Sequence, residues 1–351
     1  MTKLFNSLLL GSAIALVLVA TPIGSAYSQD KPPADKPAGD QAAGDRPAGD
    51  QAAGDQPTGD QPPADQMVGG LDAYAAAEDP PAFDDPDKAV EEFKAKLAAN
   101  DFNGLAKLLG LNAEKLKDSE GVKDTFALIR EGAARNVVVR DLEGRKILQI
   151  GDRLWPLPFP LTKGEDGKWA FDTYVGLEEI VNRHVGENEL QAIDTVEAYV
   201  DAQKEYASED RDSDGVLEYA QKLISTPGQT DGLYWPADQG DGESPVGDSI
   251  NEAALEKAKA GEGYFGYRFR ILTSQGDNIA GGRYDYVING NMIGGFALIA
   301  WPVTYAETGV KTFVVNQQGI IYERDLGPST EAIVPFIDRF DPDDKWSVVD
   351  D

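Results

Sequence analysis

The sequence predicts an α+β protein of two domains, each with helices packed on an antiparallel meander sheet, behind a disordered N-terminal tether. Three observations predict it. Stretches with helical apolar spacing precede strand-like alternation twice along the chain. The strand-like segments are joined by short glycine-containing turns that suit hairpins. A repetitive Pro/Ala/Gly/Asp segment separates the N-terminus from the first of these units.

The first element is a leader. "MTKLFNSLLLGSAIALVLVATPIGSAYSQD" has one basic residue, Lys3, an uncharged apolar run over residues 8–20, then the small residues Ala26 and Ser28 before Gln29. That order is the order of a secretory signal peptide, assigned to residues 1–28. The run of about 13 residues falls short of the roughly 20 that a spanning helix needs. "MIGGFALIAWPV" is the most apolar later stretch and is also too short. The expectation is a periplasmic or secreted protein with no membrane span after cleavage. It contains no cysteine, so it must be stable there without disulfides.

Residues 31–65 form seven pentads, each ending in aspartate, from Asp35 to Asp65. No aliphatic side chain larger than alanine occurs in them. Such a segment buries too little apolar surface to offset its ordering entropy, which predicts disorder. The expected linker covers residues 29–82, running on through "MVGGLDAYAAAEDPPA".

The first domain is expected over residues 83–186. Ala89, Phe93, Leu97, Leu105 and Leu108 fall at helical spacing, interrupted at Asn100-Asp101. "GVKDTFALIREGAARN" predicts a further helix. "NVVVRDLEGRKILQIG", "RLWPLPFPLTKG" and "GKWAFDT" then alternate like strands, turning at Glu143-Gly144 and "GEDGK". This helices-then-meander plan is similar to the cystatin-like roll of the nuclear transport factor two superfamily, which hosts enzymes and inert scaffolds alike and so implies no activity.

The second domain is expected over residues 187–351. A helix is predicted to end near His184, whose charge would suit a helix C-terminus. Asn188 and Gln191 would cap a new one. Leu190, Ile193, Val196, Tyr199, Val200 and Tyr206 line one face of it, and Glu189, Asp194, Glu197 and Asp201 the other. Strands follow in "YFGYRFRILT", "RYDYVI", "MIGGFALIAW", "KTFVVN" and "GIIYERD", with Asn289-Gly290 as a type I′ turn. Gly294 and Gly295 within a strand suggest a bulge or a close backbone approach.

Composition narrows the function classes. A formal charge of −29 opposes binding to nucleic acid or anionic lipid and favours cations or basic partners. With no cysteine and one histidine, nucleophilic catalysis has few candidates. G-x-S-x-G, H-E-x-x-H and a lysine-bearing phosphate loop are all missing from the sequence.

The blocks "YVDAQKEYASEDRDSDGVLEYAQKLISTPGQTDGLYWP", "GYRFRILTSQG" and "YDYVINGNMIGGFALIAWPVTYAETGVKTFVVNQQGIIYERDLG" closely resemble the bacterial exported family called domain of unknown function 2950. The resemblance runs from about residue 82 to the end and implies export, with no assigned activity. The helix, the acidic D-x-D-G-x-x-E-Y loop and the final meander also resemble the globular head of type II secretion pseudopilins, some of which hold structural calcium. The counterpart of the apolar N-terminal helix that polymerises in pseudopilins is here the stretch 188–207, which is studded with charge.

Two stretches are candidate sites. "SEDRDSDGVLEYAQ" places Asp210, Asp212, Asp214, Gly215, the Val216 carbonyl and Glu218 in calcium-loop register. Gln221 stands where an EF-hand needs a bidentate acid, so the alternatives are a looser Ca2+ cage and a solvated turn. "TPGQTDGLYWPADQGDGESP" holds Tyr234 and Trp235 among Asp231, Asp238 and Asp241, a pattern for stacking on a sugar or cradling a peptide, or for anchoring a loop by burying its rings. The residues therefore point to a non-catalytic binding or scaffold protein with an unidentified protein or cell-envelope partner and no cofactor beyond a structural Ca2+. The alternative is a cell-envelope polysaccharide hydrolase with a carboxylate pair beside Tyr234.

Overall fold

The computed structural model describes residues 73–119, 121–239 and 242–349. The expected leader and the pentad repeat lie outside them. The described chain begins at residue 73, within the stretch expected as linker. Tyr74 is buried, its carbonyl accepts from the Asn112 amide (2.8 Å), and Ala76 donates to Gly110 (2.8 Å). The aromatic ring at position 74 gives this segment an anchor that the pentads lack.

Helix α1 (Pro86–Ala98) starts where Asp85 accepts from the Asp87 amide and Pro86 presets the first turn; it buries Ala89, Phe93 and Leu97. Left-handed Asn100 (φ 55°) stops it, and Asp101 caps α2 (Phe102–Leu108) through the Gly104 amide at 2.8 Å. Helices α3 (Ala113–Lys117) and α4 (Val122–Arg135) follow. Strands β1 (Val137–Leu142), β2 (Arg145–Ile150), β3 (Trp155–Pro156), β4 (Leu161–Lys163) and β5 (Trp169–Phe171) form an antiparallel sheet in the order β1-β2-β4-β5, with β3 also on β2. Glu143 (φ 51°) and Gly144 (φ 80°) make the two-residue hairpin turn. The first core closes between α1 and the sheet, with the Phe93 and Phe171 ring centroids 5.9 Å apart.

The main departure from the sequence reading is helix α5, which runs unbroken over Thr173–Tyr206, 34 residues and roughly 51 Å. No helix ends at His184 and Asn188 is no cap. Asn188 is buried inside the helix, where its Nδ2 donates to the Thr308 carbonyl at 2.9 Å. The capping-like pattern is thus used for a tertiary contact. Leu177, Ile180, Val181 and Val185 pack into the first core, whereas Ala192, Val196, Tyr199 and Val200 pack into a second one. Leu190, expected in the apolar stripe, is exposed.

After α5 come helix α6 (Glu252–Lys259), strand β6 (Tyr267–Leu272), the short ladders β7 (Ser274–Gln275) with β8 (Tyr284–Asp285) and β9 (Val287–Ile288) with β10 (Asn291–Met292), and then β11 (Ala297–Pro302), β12 (Lys311–Asn316), β13 (Tyr322–Asp325), helix α7 (Thr330–Ile333) and β14 (Ser347–Val348). The second sheet has the order β14-β13-β12-β11-β6 and is antiparallel throughout. Four of the six β11 residues, 297–300, are fully buried, as a strand covered on both faces must be. Gly294 and Gly295 precede β11 and are not part of it. A Cβ on Gly294 would lie 3.1 Å from the Asp285 carbonyl oxygen and the Tyr286 Cα, so the close backbone approach holds and the bulge does not. Among the described residues no helix is long and apolar enough to cross a membrane.

Two glycines test the continuity of α5. A Cβ on Gly176 would fall 2.0 Å from the Phe159 ring, whereas nothing lies within 4 Å of one on Gly186. We expect Gly176→Ala to lower the urea midpoint despite its better helix propensity, and Gly186→Ala to raise stability by about 0.5–1 kcal/mol.

Candidate functional site

The acidic loop leaves the C-terminus of α5. Arg211 fastens its start by donating from Nε to the Tyr206 carbonyl (3.2 Å) and lying over the Tyr206 and Trp235 rings. Left-handed Ser213 (φ 63°) and Gly215 (φ 90°) then coil the backbone. Asp210 accepts from the Gly215 amide (3.0 Å), Asp212 from Asp214 (3.3 Å) and Asp214 from Val216 (2.8 Å). One oxygen from each of Asp210, Asp212 and Asp214 lies within 4.8 Å of the others, all exposed. Glu218 is not in this group, and its Oε2 accepts from the Met292 amide at 2.9 Å. Gln221 is likewise committed, donating to the Gly290 carbonyl at 2.6 Å. Between these anchors, fully buried Gln203 exchanges two 2.8 Å hydrogen bonds with the Ala220 backbone, standing in for a strand partner.

Of the two roles open to the loop around Tyr234, ring burial is the one that describes Trp235. Trp235 is 2% exposed and donates from Nε1 to the Gly242 carbonyl at 3.2 Å, so its ring anchors the loop and offers no platform to a ligand. Asp231 is also consumed: it accepts from the Thr226 amide (2.7 Å) and hydroxyl (2.9 Å) and pairs with Lys222. Desolvation opposes its ionisation, but those bonds outweigh it and hold the carboxyl below its ordinary range. Asp238 is exposed on the turn beyond, and Asp241 lies outside the described residues. Tyr234 of this group lines a cavity.

That cavity is a groove of about 770 Å³ which the sequence reading missed. Its walls come from Asp194 and Ala198 on α5, Leu223 and Tyr234 on the loop, Leu255 on α6 and Phe269 on β6. The one signal in the sequence was the i, i+4 spacing of Asp194 and Ala198, which puts them on one helix face. Which loop would cross that face was not legible. Tyr199 and Tyr267 line its floor with spent hydroxyls, donating to Ala297 (3.1 Å) and Lys311 (2.9 Å), and burial drives both phenols upward so that they stay neutral. Among the described lining residues Asp194 is the sole carboxylate, so the pair required for glycoside hydrolysis is not assembled there.

A family model described as "Protein of unknown function (DUF2950)" matches residues 81–349. The chain belongs to the DUF2950 family. No curated protein and no solved structure matches this DUF2950 chain. Both candidate sites fall within the matched span, at positions 191–301.

His184, the single histidine, sits mid-helix at the seam of the two cores. Its Nε2 is 3.1 Å from Asn188 Nδ2, and its Nδ1 is buried with no partner. Burial, helped by the Lys257 charge on α6, lowers its pKa below the ordinary 6.5. The unfolded chain therefore takes up this proton first, so stability is full above about pH 6.5 and is lost as pH falls through the lower folded value. Burial raises the carboxyls of Glu187 and Glu307, which contribute in the opposite sense as pH rises past about 4.5. We expect the melting temperature to drop between about pH 8 and about pH 5 and the drop to shrink in His184→Gln, read by melting both proteins across that range.

Proposed function

We propose that this DUF2950 protein is an exported, non-catalytic binding protein that takes a small apolar ligand in the groove between α5, α6 and β6. The observation that carries this reading is the groove itself: about 770 Å³, walled by aliphatic and aromatic side chains, with few polar groups free to act. The hydroxyls of Tyr199 and Tyr267 are committed to the backbone, which suits holding a ligand better than transforming one. Export rests on the leader-like residues 1–28, so the test uses the mature chain, expected to start at Gln29. A neutral apolar fluorophore such as N-phenyl-1-naphthylamine should bind it saturably with enhanced emission. Ala198→Trp, which fills the groove, should abolish that signal, and Leu128→Trp, on an exposed position of the other core, should leave it intact. Equal binding in all three proteins would remove the groove from consideration.

A second reading concerns the loop after α5. The convergence of Asp210, Asp212 and Asp214 within 4.8 Å favours a structural Ca2+ there, with the neighbouring Val216 carbonyl and water completing its oxygens. Glu218 is left to the Met292 amide. Mutual repulsion of three carboxylates on five residues is relieved by a divalent cation. Calorimetry should show one Ca2+ binding and raising the melting temperature, both lost in Asp212→Ala plus Asp214→Ala. No heat at millimolar calcium would leave the loop a solvated turn.

A further inference from the structure

We infer that the ligand of the groove is an organic cation with an apolar body, an amine or quaternary ammonium carrying an alkyl or aryl part. This rests on the reading of the groove as a binding site and adds the charge of its occupant. Two charged side chains line the groove, Asp194 and Arg268. Arg268 is neutralised, because its Nη1 donates to Glu331 at 2.6 Å and the same carboxylate also accepts from Trp301 Nε1 at 3.3 Å. Asp194 has no such partner among the described residues: its one hydrogen bond, from Gln191, is stretched to 3.5 Å. The groove therefore presents a single uncompensated negative charge, at its exposed α5 rim.

The other walls favour the same occupant. Tyr264 packs edge-on against Phe265 at 4.7 Å and near Phe269 at 6.4 Å, a cluster of ring faces that attracts a weakly hydrated cation. The basic Lys259 on the adjacent helix is paired with Glu256 at 2.7 Å and adds little positive field. Behind these local terms stands the formal charge of −29, which enriches cations and repels anions around the whole molecule. An apolar anion of the same shape would lose the rim contact and meet that repulsion.

The experiment is displacement of N-phenyl-1-naphthylamine from the mature protein by decyltrimethylammonium, decanoate and decanol, three competitors with one chain length. The cation should displace the probe at a concentration at least about tenfold below the anion, with the alcohol between them. Asp194→Asn should remove most of the difference between cation and anion, leaving only the small part owed to the net field, without changing probe affinity. Glu197→Gln removes one charge from the same helix outside the groove and should preserve the order, which separates the rim carboxylate from the net field. Equal displacement by cation and anion, or a preference as large in Asp194→Asn as in the unaltered protein, overturns the inference and leaves the groove reading standing because the probe still binds. Failure of the probe to bind overturns both.

Discussion

Everything in this fold is referred to one continuous helix. α5 carries the last side chains of the first core and the first of the second, so the two cores share a rigid element in place of a linker. Its register relative to the second sheet is held at the seam. There Asn188 donates to Thr308, and one Glu189 oxygen accepts from the Val310 and Lys311 amides at 2.8 and 2.9 Å. Charge-assisted bonds of this kind are stronger than neutral ones and directional. They matter because each residue along a helix turns its side chain by about 100°, so slipping the register would point the second half of α5 away from its sheet.

The functional geometry hangs on that register. Past the seam, one face of α5 buries Val196, Tyr199 and Val200 against the second core, and the adjoining face presents Asp194 and Ala198 to the groove. Gln203, one turn before the end, pins residue 220, and the chain between them is the acidic loop. The groove and the loop are therefore built from opposite ends of the same half-helix. A third wall, the segment around Tyr234, is closed down by burial of Trp235 and by the Asp231–Thr226 bonds.

Among so many acids, what separates the structural from the available is exposure together with the donors that claim them. Glu189, Glu218 and Asp231 each accept backbone amides and are spent on holding chain together. Asp194 has only a stretched bond from Gln191, and the clustered Asp210, Asp212 and Asp214 accept amides of their own turn, with Asn291 Nδ2 also donating to Asp214 at 2.7 Å. Desolvating a carboxylate is costly unless donors surround it. Glu189, Glu218 and Asp231 thus sit at half-buried joints, and Asp194 and the loop aspartates stay exposed at the rim and the loop, where a ligand or ion is able to reach them.

Local signals were enough for much of this. Asn100 and Asp101 marked the break between α1 and α2, because a cap or a left-handed residue acts within three or four positions. Glu143-Gly144 and Asn289-Gly290 marked the hairpins, since both residues of each pair take the positive φ that such turns need. The convergence of Asp210, Asp212 and Asp214 was equally readable, all three lying on one short turn. Tertiary structure decided the rest. It made Asn188 a tertiary donor in an unbroken helix, turned Trp235 inward, gave Glu218 to Met292, and brought residues 194, 234, 255 and 269 around one groove. The physical reason is common to all four: each outcome depends on a partner far along the chain, and local spacing carries no record of which distant amide, carbonyl or ring will be there.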